Sequence, residues 1–292
     1  MKYKSQINID RLELTYEGNE GIKTVLSDKD TKELHWDGLR LVRQKSRMYC
    51  HEFVVLVKKY SEEQGIRERQ LGYLYFGSPN PNRPYIYLLY DNASLYDDNM
   101  LALRFYVGEV LGLRFLRVSK LDIAIDYNFN ITNRFYRLFK NPDYALVVNG
   151  KKITDVYEEV PDIAHIVGHT NRKRPFAHHS PVLKNSDGSL MMRSYDKSKE
   201  IAVESGKDYI ADKAGFRRLY RLEVSMGNHK VITKNLKRLY LTDEELYERL
   251  QDERTLNSLF RSALNSLIRV SKGRKSHSIL EYILPDGYRE VH

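Results

Sequence analysis

Apolar and polar residues alternate over several short stretches of the chain, which is the pattern of half-buried β-strands. The alternation predicts strands at residues 7–16, 53–60, 71–76, 85–90, 118–127, 190–197 and 217–226. A run of Gly, Ser, Pro and Asn at 77–82 is typical of a turn and separates the third strand from the fourth. The first third of the chain is therefore expected to form a sheet.

Helical spacing of apolar residues predicts helices at residues 99–111 and 133–139. A capping box at Thr242 and Glu245 precedes an amphipathic stripe, which predicts that residues after about 240 are helical. Strands and helices do not alternate as βαβ units, so we expect an α+β fold with a central antiparallel sheet, flanking helices and a helical C-terminal segment. We place a domain boundary near residue 235, between residues 1–235 and 236–292.

Composition points to a polyanionic partner. The chain has 48 Lys and Arg against 39 Asp and Glu, a formal charge of +9 and 22 tyrosines. Cations interleaved with aromatic rings suit nucleic acid, although a merely basic soluble protein would have the same composition. Cys50 is the single cysteine, no apolar signal segment follows the first residues, and the mean hydropathy is −0.57. We therefore expect a cytoplasmic protein that does not enter a membrane.

Charged residues share one face of the strand predicted at 118–127. Period two places Lys120, Asp122 and Asp126 opposite a face of Leu and Ile. The strand predicted at 217–226 likewise places Arg221 and Glu223 opposite its apolar face. A charged face in contact with solvent is the simplest interpretation of the first of these strands taken alone.

Carboxylates on both strands would form a metal site if the strands belong to one sheet. Glu223 would then converge with an aspartate on Mg²⁺ or Mn²⁺, since these hard cations prefer oxygen ligands. Asp122 and Asp126 lie roughly 13 Å apart along an extended strand, so we do not expect one ion to contact both.

The strand predicted at 190–197 presents Arg193, Tyr195 and Lys197 on one face. A phenol titrates near pH 10, so two flanking cations would favour the phenolate and also bind a phosphate under attack. The pattern therefore predicts a tyrosine nucleophile for phosphoryl transfer. A tyrosine paired across strands, with basic neighbours reaching into solvent, is the alternative.

Three motifs carry a resemblance to a known family. Residues 120–126 (KLDIAID) are similar to a basic-x-Asp-x-Ala-x-Asp strand, residues 193–200 (RSYDKSKE) to a Tyr-Asp/Asn-Lys-x-x-Glu segment, and residues 221–224 (RLEV) to an Arg-x-Glu strand. In this order they resemble the trans-acting replication initiators of rolling-circle plasmids, a family that includes relaxases of integrative conjugative elements. The first motif begins with Lys120 where the family pattern has Arg.

The resemblance implies a DNA nickase in which Tyr195 joins the 5′ phosphate of the cut strand. It implies that Glu223 and an aspartate of 120–126 hold the metal, and Arg193, Lys197 and Arg221 would stabilise the charge on the phosphate. The implied partners are origin or transfer-origin DNA, partly single-stranded, a host helicase and a second copy of the chain. Residues 1–235 would nick DNA, and residues 236–292 would bind DNA or self-associate.

Basic residues outside the motifs are candidate DNA contacts, though solvated loops explain them equally well. They are Lys120, Arg172, Lys173, Arg174, Lys272, Arg274 and Lys275. The insert at 165–179, rich in basic residues and His, has no family counterpart that we can name.

Two other enzyme classes fit the sequence less well. No pair of histidines has the His-hydrophobic-His spacing of the commoner nicking enzymes. His169 and Arg172 followed by Tyr195 resemble the box of a tyrosine recombinase, but those catalytic domains are helical and Tyr195 lies in a predicted strand. A non-enzymatic DNA-binding initiator or repressor is the main alternative. That protein would not require Asp122, Arg193, Tyr195 and Glu223 to converge.

Overall fold

Strands and helices are both abundant in the fold, and the α+β prediction is confirmed. The computed structural model describes residues 3–46, 49–61, 65–78, 84–153, 164–167, 180–286 and 288. The strands are β1 (Ser5–Gly18), β2 (Glu33–Trp36), β3 (Leu39–Gln44), β4 (His51–Ser61), β5 (Gly65–Phe76), β6 (Ile86–Tyr90), β7 (Leu113–Tyr127), β8 (Ala145–Val148), β9 (Lys151–Ile153), β10 (Ala164–Val167), β11 (Ser180–Lys184), β12 (Leu190–Asp196), β13 (Tyr220–Met226), β14 (Ile268–Lys272) and β15 (Lys275–Ser278). The helices are α1 (Glu20–Ser27), α2 (Asn92–Leu95), α3 (Asp98–Val110), α4 (Ile131–Phe139), α5 (Lys197–Glu200), α6 (Asp208–Ala214), α7 (His229–Arg238), α8 (Asp243–Glu248), α9 (Glu253–Leu267) and α10 (Leu280–Ile283), and a π-helix spans Ile201–Ser205.

The described chain divides into two compact units. Unit 1 contains Met1–Ile9, Asp122–Leu241 and Asp252–His292, whereas unit 2 contains Asp10–Leu121 and Thr242–Gln251. Neither unit ends at the boundary expected near residue 235, because the helices after that residue are shared between the units. Among the described residues, no helix is both long enough and apolar enough to span a membrane.

Unit 1 is built on a sheet with the strand order β10-β11-β12-β13-β7-β1. Helices α4 and α9 pack against β12 and β13, and α7 packs against β13. The apolar side chains of β13, Leu222, Val224 and Met226, are fully buried, as their alternation predicts. A second sheet in this unit has the order β15-β14-β8-β9.

The hairpin β14–β15 lies within the segment predicted to be helical, and that part of the prediction is wrong. Ile268 and Val270 are buried while Arg269 between them is exposed, which is strand periodicity. Gly273 has φ +60° in the turn, a conformation that favours glycine, and Lys272 pairs with Lys275 across it. The chain therefore turns back where a helix would continue.

Unit 2 has the strand order β7-β1-β6-β5-β4-β3-β2, in which β2 to β6 form a meander, and its pairs from β1 to β2 are antiparallel. The hairpin β2–β3 was not predicted. Gly72 permits the close pairing of β5 with β6, because a Cβ there would lie 2.2 Å from the Leu89 carbonyl oxygen.

Arg104 of α3 is fully buried in unit 2 and contacts aromatic rings and backbone oxygens. Its guanidinium donates to the carbonyl oxygens of Leu101 at 2.8 Å, Tyr247 at 2.9 Å and Glu248 at 3.1 Å. It therefore supplies donors for the last carbonyls of α8, which have no partner within that helix.

Candidate functional site

The charged motif residues lie on neighbouring strands of the unit 1 sheet. Strand β12 pairs with β13 so that Arg193 lies opposite Glu223 and Tyr195 opposite Arg221, and β13 is also the neighbour of β7. Ser194 points the other way, and its hydroxyl lies 2.8 Å from that of Thr132 on α4. The charged face is thus the face turned away from α4.

Arg221 and Asp126 form a fully buried ion pair. Both side chains are 0% exposed, and the guanidinium donates from Nε at 2.8 Å and from Nη2 at 2.7 Å to the two carboxylate oxygens. This bidentate pair joins β13 to β7. The alternative of solvent-exposed charge on the strand at 118–127 is therefore wrong for Asp122 and Asp126, which are both buried.

Glu223 is the central carboxylate of the site. It is 1% exposed, and its Oε2 accepts a hydrogen bond of 3.1 Å from the Tyr195 hydroxyl. Its Oε1 accepts from Arg193, whose side chain is 40% exposed. One buried carboxylate therefore binds both a phenol and a cation that reaches solvent.

Electrostatics couple Arg193 to a second carboxylate. Burial disfavours its charged form, but the charge and hydrogen bond of Glu223, together with Tyr195 and Asp122, raise the pKa of Arg193 above its ordinary value. Asp122 is itself buried. Asp122 and Glu223 thus act on the same guanidinium.

Tyr195 is followed directly by the start of a helix. Asp196 ends β12 and caps α5 by accepting from the Lys199 backbone amide at 3.1 Å, while Arg218 donates to its other oxygen at 2.8 Å. Lys197, the first residue of α5, is buried, and its ammonium lies 5.8 Å from the centre of the Tyr195 ring. The cap explains why Lys197 leaves the strand.

Lys197 is also paired with Glu200, one turn further along, with 2.6 Å between nitrogen and oxygen. The helix continues from Glu200 into the π-helix Ile201–Ser205. Such π-helical turns are rare and frequently found at functional sites. Arg218 and the π-helix are features of the site that sequence patterns did not indicate.

The three expected metal ligands do not have equivalent surroundings. Asp126 presents both oxygens to Arg221, which leaves Asp122 as the aspartate that suits the expected ion. Among the described residues, no three His, Cys, Asp or Glu side chains lie close enough together to hold a metal. Mg²⁺ is commonly bound through one or two carboxylates together with the substrate phosphate. Asp122 and Glu223 are two buried carboxylates that act on the same Arg193 guanidinium, and Glu223 binds Arg193 and Tyr195 through its two oxygens.

The expected DNA contacts fall in three places. Lys120 forms an ion pair of 2.7 Å with Glu13 in unit 2. Lys272, Arg274 and Lys275 are exposed at the turn of the β14–β15 hairpin, and Lys272 lies 5.4 Å from the ring centre of Tyr144.

Arg172, Lys173 and Arg174 lie outside the described residues, as does His169, so the recombinase box cannot be placed beside Tyr195. Tyr195 itself belongs to strand β12 rather than to a helix.

Comparison with protein-family models gave no match, and a search of curated proteins gave none either. Charged residues of the three motifs are in contact in the structure. Asp126 meets Arg221, Glu223 meets Arg193 and Tyr195, and Lys197 meets Glu200.

Proposed function

We propose that this chain is a cytoplasmic DNA nickase of the type that initiates rolling-circle replication or conjugative transfer, with Tyr195 as its nucleophile. The observation that carries the proposal is the Tyr195 hydroxyl donating at 3.1 Å to the buried Glu223 carboxylate beside Arg193. Tyrosine transesterification requires a phenol as the nucleophile, a base that takes its proton and a cation that binds the phosphate, and these three groups are in contact here. A DNA-binding initiator without this chemistry would not require them to meet.

Glu223 would act as the general base. As the Tyr195 oxygen attacks the scissile phosphorus, its proton passes to Glu223, which is already within hydrogen-bond distance. The bond from phosphorus to the 3′ oxygen breaks, and that oxygen takes a proton from solvent water and leaves as a hydroxyl. The product is a 5′-phosphotyrosine with a free 3′ hydroxyl, and the reverse reaction rejoins the strand.

Arg193 would stabilise the developing charge on the phosphate. Its side chain is partly exposed and borders Tyr195, so it can contact both a bound phosphate and Glu223. Lys197 is buried against the Tyr195 ring and would add positive potential from below it. Arg221 is completely enclosed with Asp126, so we assign it to positioning β13 rather than to contact with DNA.

Asp122 would hold Mg²⁺ or Mn²⁺ together with the Oε1 atom of Glu223, which would exchange Arg193 for the ion, while Oε2 stays with the Tyr195 hydroxyl as the base. The ion would polarise a non-bridging phosphate oxygen. Asp122, Asp126, Glu200 and Glu223 bring four formal negative charges to the cluster, and Arg193, Lys197 and Arg221 bring three positive ones. The named residues therefore carry an excess negative charge of one, which favours an additional cation.

Covalent trapping tests the proposal directly. The protein would be incubated with labelled single-stranded oligonucleotides from the origin region of its own replicon, with Mn²⁺, and examined for an SDS-resistant adduct. Tyr195→Phe should abolish the adduct, and EDTA should do the same. Tyr282→Phe, which changes another partly exposed tyrosine of unit 1, should leave the adduct intact.

Tight DNA binding without an adduct, on an origin shown to contain the cleavage site, would overturn the nickase proposal. It would favour the non-enzymatic initiator or repressor. An adduct that persists in Tyr195→Phe would place the nucleophile at another residue.

A further inference from the structure

Helix α7 presents an exposed row of cations. Lys230, Lys234, Lys237 and Arg238 are all exposed, and the helix contains no acidic residue. Their spacing of four, three and one residues places them along one side of the helix. None of these four side chains has an ion pair among the described contacts of the chain. Within the part of the chain that the structure describes, the row is therefore a strip of positive charge without an acidic partner.

The opposite face of α7 is fully used by the fold. Ile232 and Leu236 are buried, and Asn235 accepts a hydrogen bond of 3.0 Å from Ser262 on α9. A helix that binds a membrane surface needs an apolar face available to lipid, and this one has none. The cationic row thus fits a soluble polyanion.

Helix electrostatics explain only part of the row. Lys237 and Arg238 lie in the last turn, where cations stabilise the helix dipole. Lys230 lies in the first turn, where a carboxylate would be favoured, and Lys234 lies in the middle. The helix dipole therefore does not account for Lys230 or Lys234.

Tyr240, just beyond the helix, is the second observation. It is 94% exposed and has φ +56°, in the left-handed region that disfavours side chains with a Cβ. The Leu241 amide donates to the Leu236 carbonyl at 3.0 Å, so Tyr240 occupies the helix-ending position where glycine is usual. A strained backbone therefore holds an aromatic ring in solvent, where the ring packs against nothing that the structure describes.

We infer that α7 and Tyr240 form a binding surface for single-stranded DNA, with the cations on phosphates and the Tyr240 ring stacked on an unpaired base. Rows of cations ending in an aromatic platform are the composition of single-strand grooves. Helix α7 begins three residues after β13, the strand that carries Glu223. The inference rests on the proposed function for its choice of DNA, and its surface lies outside the catalytic cluster.

Binding would be measured by fluorescence anisotropy in a Tyr195→Phe background, so that cleavage does not contribute. Tyr240→Gly should weaken binding of a single strand at least about fivefold, while Tyr240→Phe should bind normally. Glycine relieves the left-handed strain, so the same Tyr240→Gly protein should keep its Tm or gain up to about 2 °C. A variant that folds at least as well but binds less well cannot be explained by misfolding.

The cations are tested by salt dependence. Lys230→Gln with Lys234→Gln should reduce the slope of log K against log salt by about 1.4, as expected for two lost phosphate contacts on a single strand. Lys29→Gln, at an exposed lysine of unit 2, is the matched control and should change neither the slope nor the affinity.

Unchanged single-strand affinity in Tyr240→Gly, or equal losses for duplex and single strand, would overturn the inference. The trapping assay is a separate readout. If Tyr240→Gly loses binding but the protein with an intact Tyr195 forms no adduct, the binding surface is supported and the nickase proposal is refuted. If the protein with an intact Tyr195 forms an adduct and Tyr240→Gly binds normally, the nickase proposal is supported and the binding surface is refuted.

Discussion

Asp126→Asn is expected to destabilise the protein strongly, because it removes the charge that compensates Arg221. Both partners are 0% exposed and are joined by two hydrogen bonds of 2.8 and 2.7 Å. Asparagine has nearly the same shape, but its amide group would present donors to a guanidinium that has only donors. Removing one partner of a buried pair costs about 3–5 kcal/mol. That loss is a large part of the roughly 5–15 kcal/mol that stabilises a typical protein.

Urea denaturation followed by circular dichroism measures this loss. The midpoint should fall with little change in the slope, because the surface exposed on unfolding is nearly the same. Asp212→Asn, at an exposed aspartate of the same unit, is the control and should shift the free energy of unfolding by under about 0.5 kcal/mol. If Asp126→Asn costs no more than this control, the pair is not desolvated and the assigned burial is wrong.

The double variant Asp126→Leu with Arg221→Met completes the comparison. Apolar replacement of both members of a buried pair is often neutral or stabilising, so most of the lost stability should return. Covalent trapping with the double variant then separates two roles of Arg221. An adduct formed at a normal rate would support positioning, whereas a stable protein that forms no adduct would show that Arg221 acts on the phosphate.

Two further predictions concern proton transfer and pH. Glu223→Gln should slow adduct formation about 10²- to 10⁴-fold, because the variant lacks the base that takes the Tyr195 proton. Hydroxide would then replace the base, so the rate should rise about tenfold per pH unit as long as the Tyr195 phenol stays protonated. A single-turnover rate within threefold of normal would rule out Glu223 as the base. Burial raises the pKa of the Tyr16, Tyr90 and Tyr127 hydroxyls. Their folded-state pKa values exceed the unfolded value of about 10, so their stabilising contribution is complete below pH 10 and is lost as the pH rises above it. Urea unfolding between pH 8 and 11 should show that the free energy of unfolding declines with pH. Phenolate absorbance at 295 nm should show that the buried tyrosines ionise at a higher pH than exposed ones. A constant free energy of unfolding over this range would contradict the prediction.

Strand periodicity predicted part of the arrangement of the motif residues. It was wrong for Lys197, which it placed in the strand with Tyr195, because Asp196 ends β12 and caps the helix that Lys197 begins. It assigned Arg193 and Tyr195 to one face of their strand and Arg221 with Glu223 to one face of the next, as the structure has them. It could not predict that the charged face of β13 is buried. Alternation within a strand shows which side chains share a face. Whether the charged face is buried depends on segments that are far away in sequence and pack over it.

The choice of ion-pair partners was also beyond the sequence. Asp126 and Glu223 were equivalent as carboxylates, yet one is bound by Arg221 and the other by Arg193 and Tyr195. The pairing follows from strand order and register, which no local pattern encodes. The β14–β15 hairpin did leave a local signal, since Ile268 and Val270 alternate before a glycine, but the preceding amphipathic helix obscured it.

The segment Thr242–Gln251 has a consequence for how the polypeptide can be made or shortened. It belongs to unit 2, and through it Arg104 reaches the Tyr247 carbonyl across 143 residues of sequence. During synthesis, Arg104 emerges long before the Tyr247 and Glu248 carbonyls that accept from it, so unit 2 remains incomplete until residue 251 has left the ribosome. A polypeptide cut at residue 235 would leave the Arg104 guanidinium facing a missing helix, and neither unit can be excised as one continuous fragment.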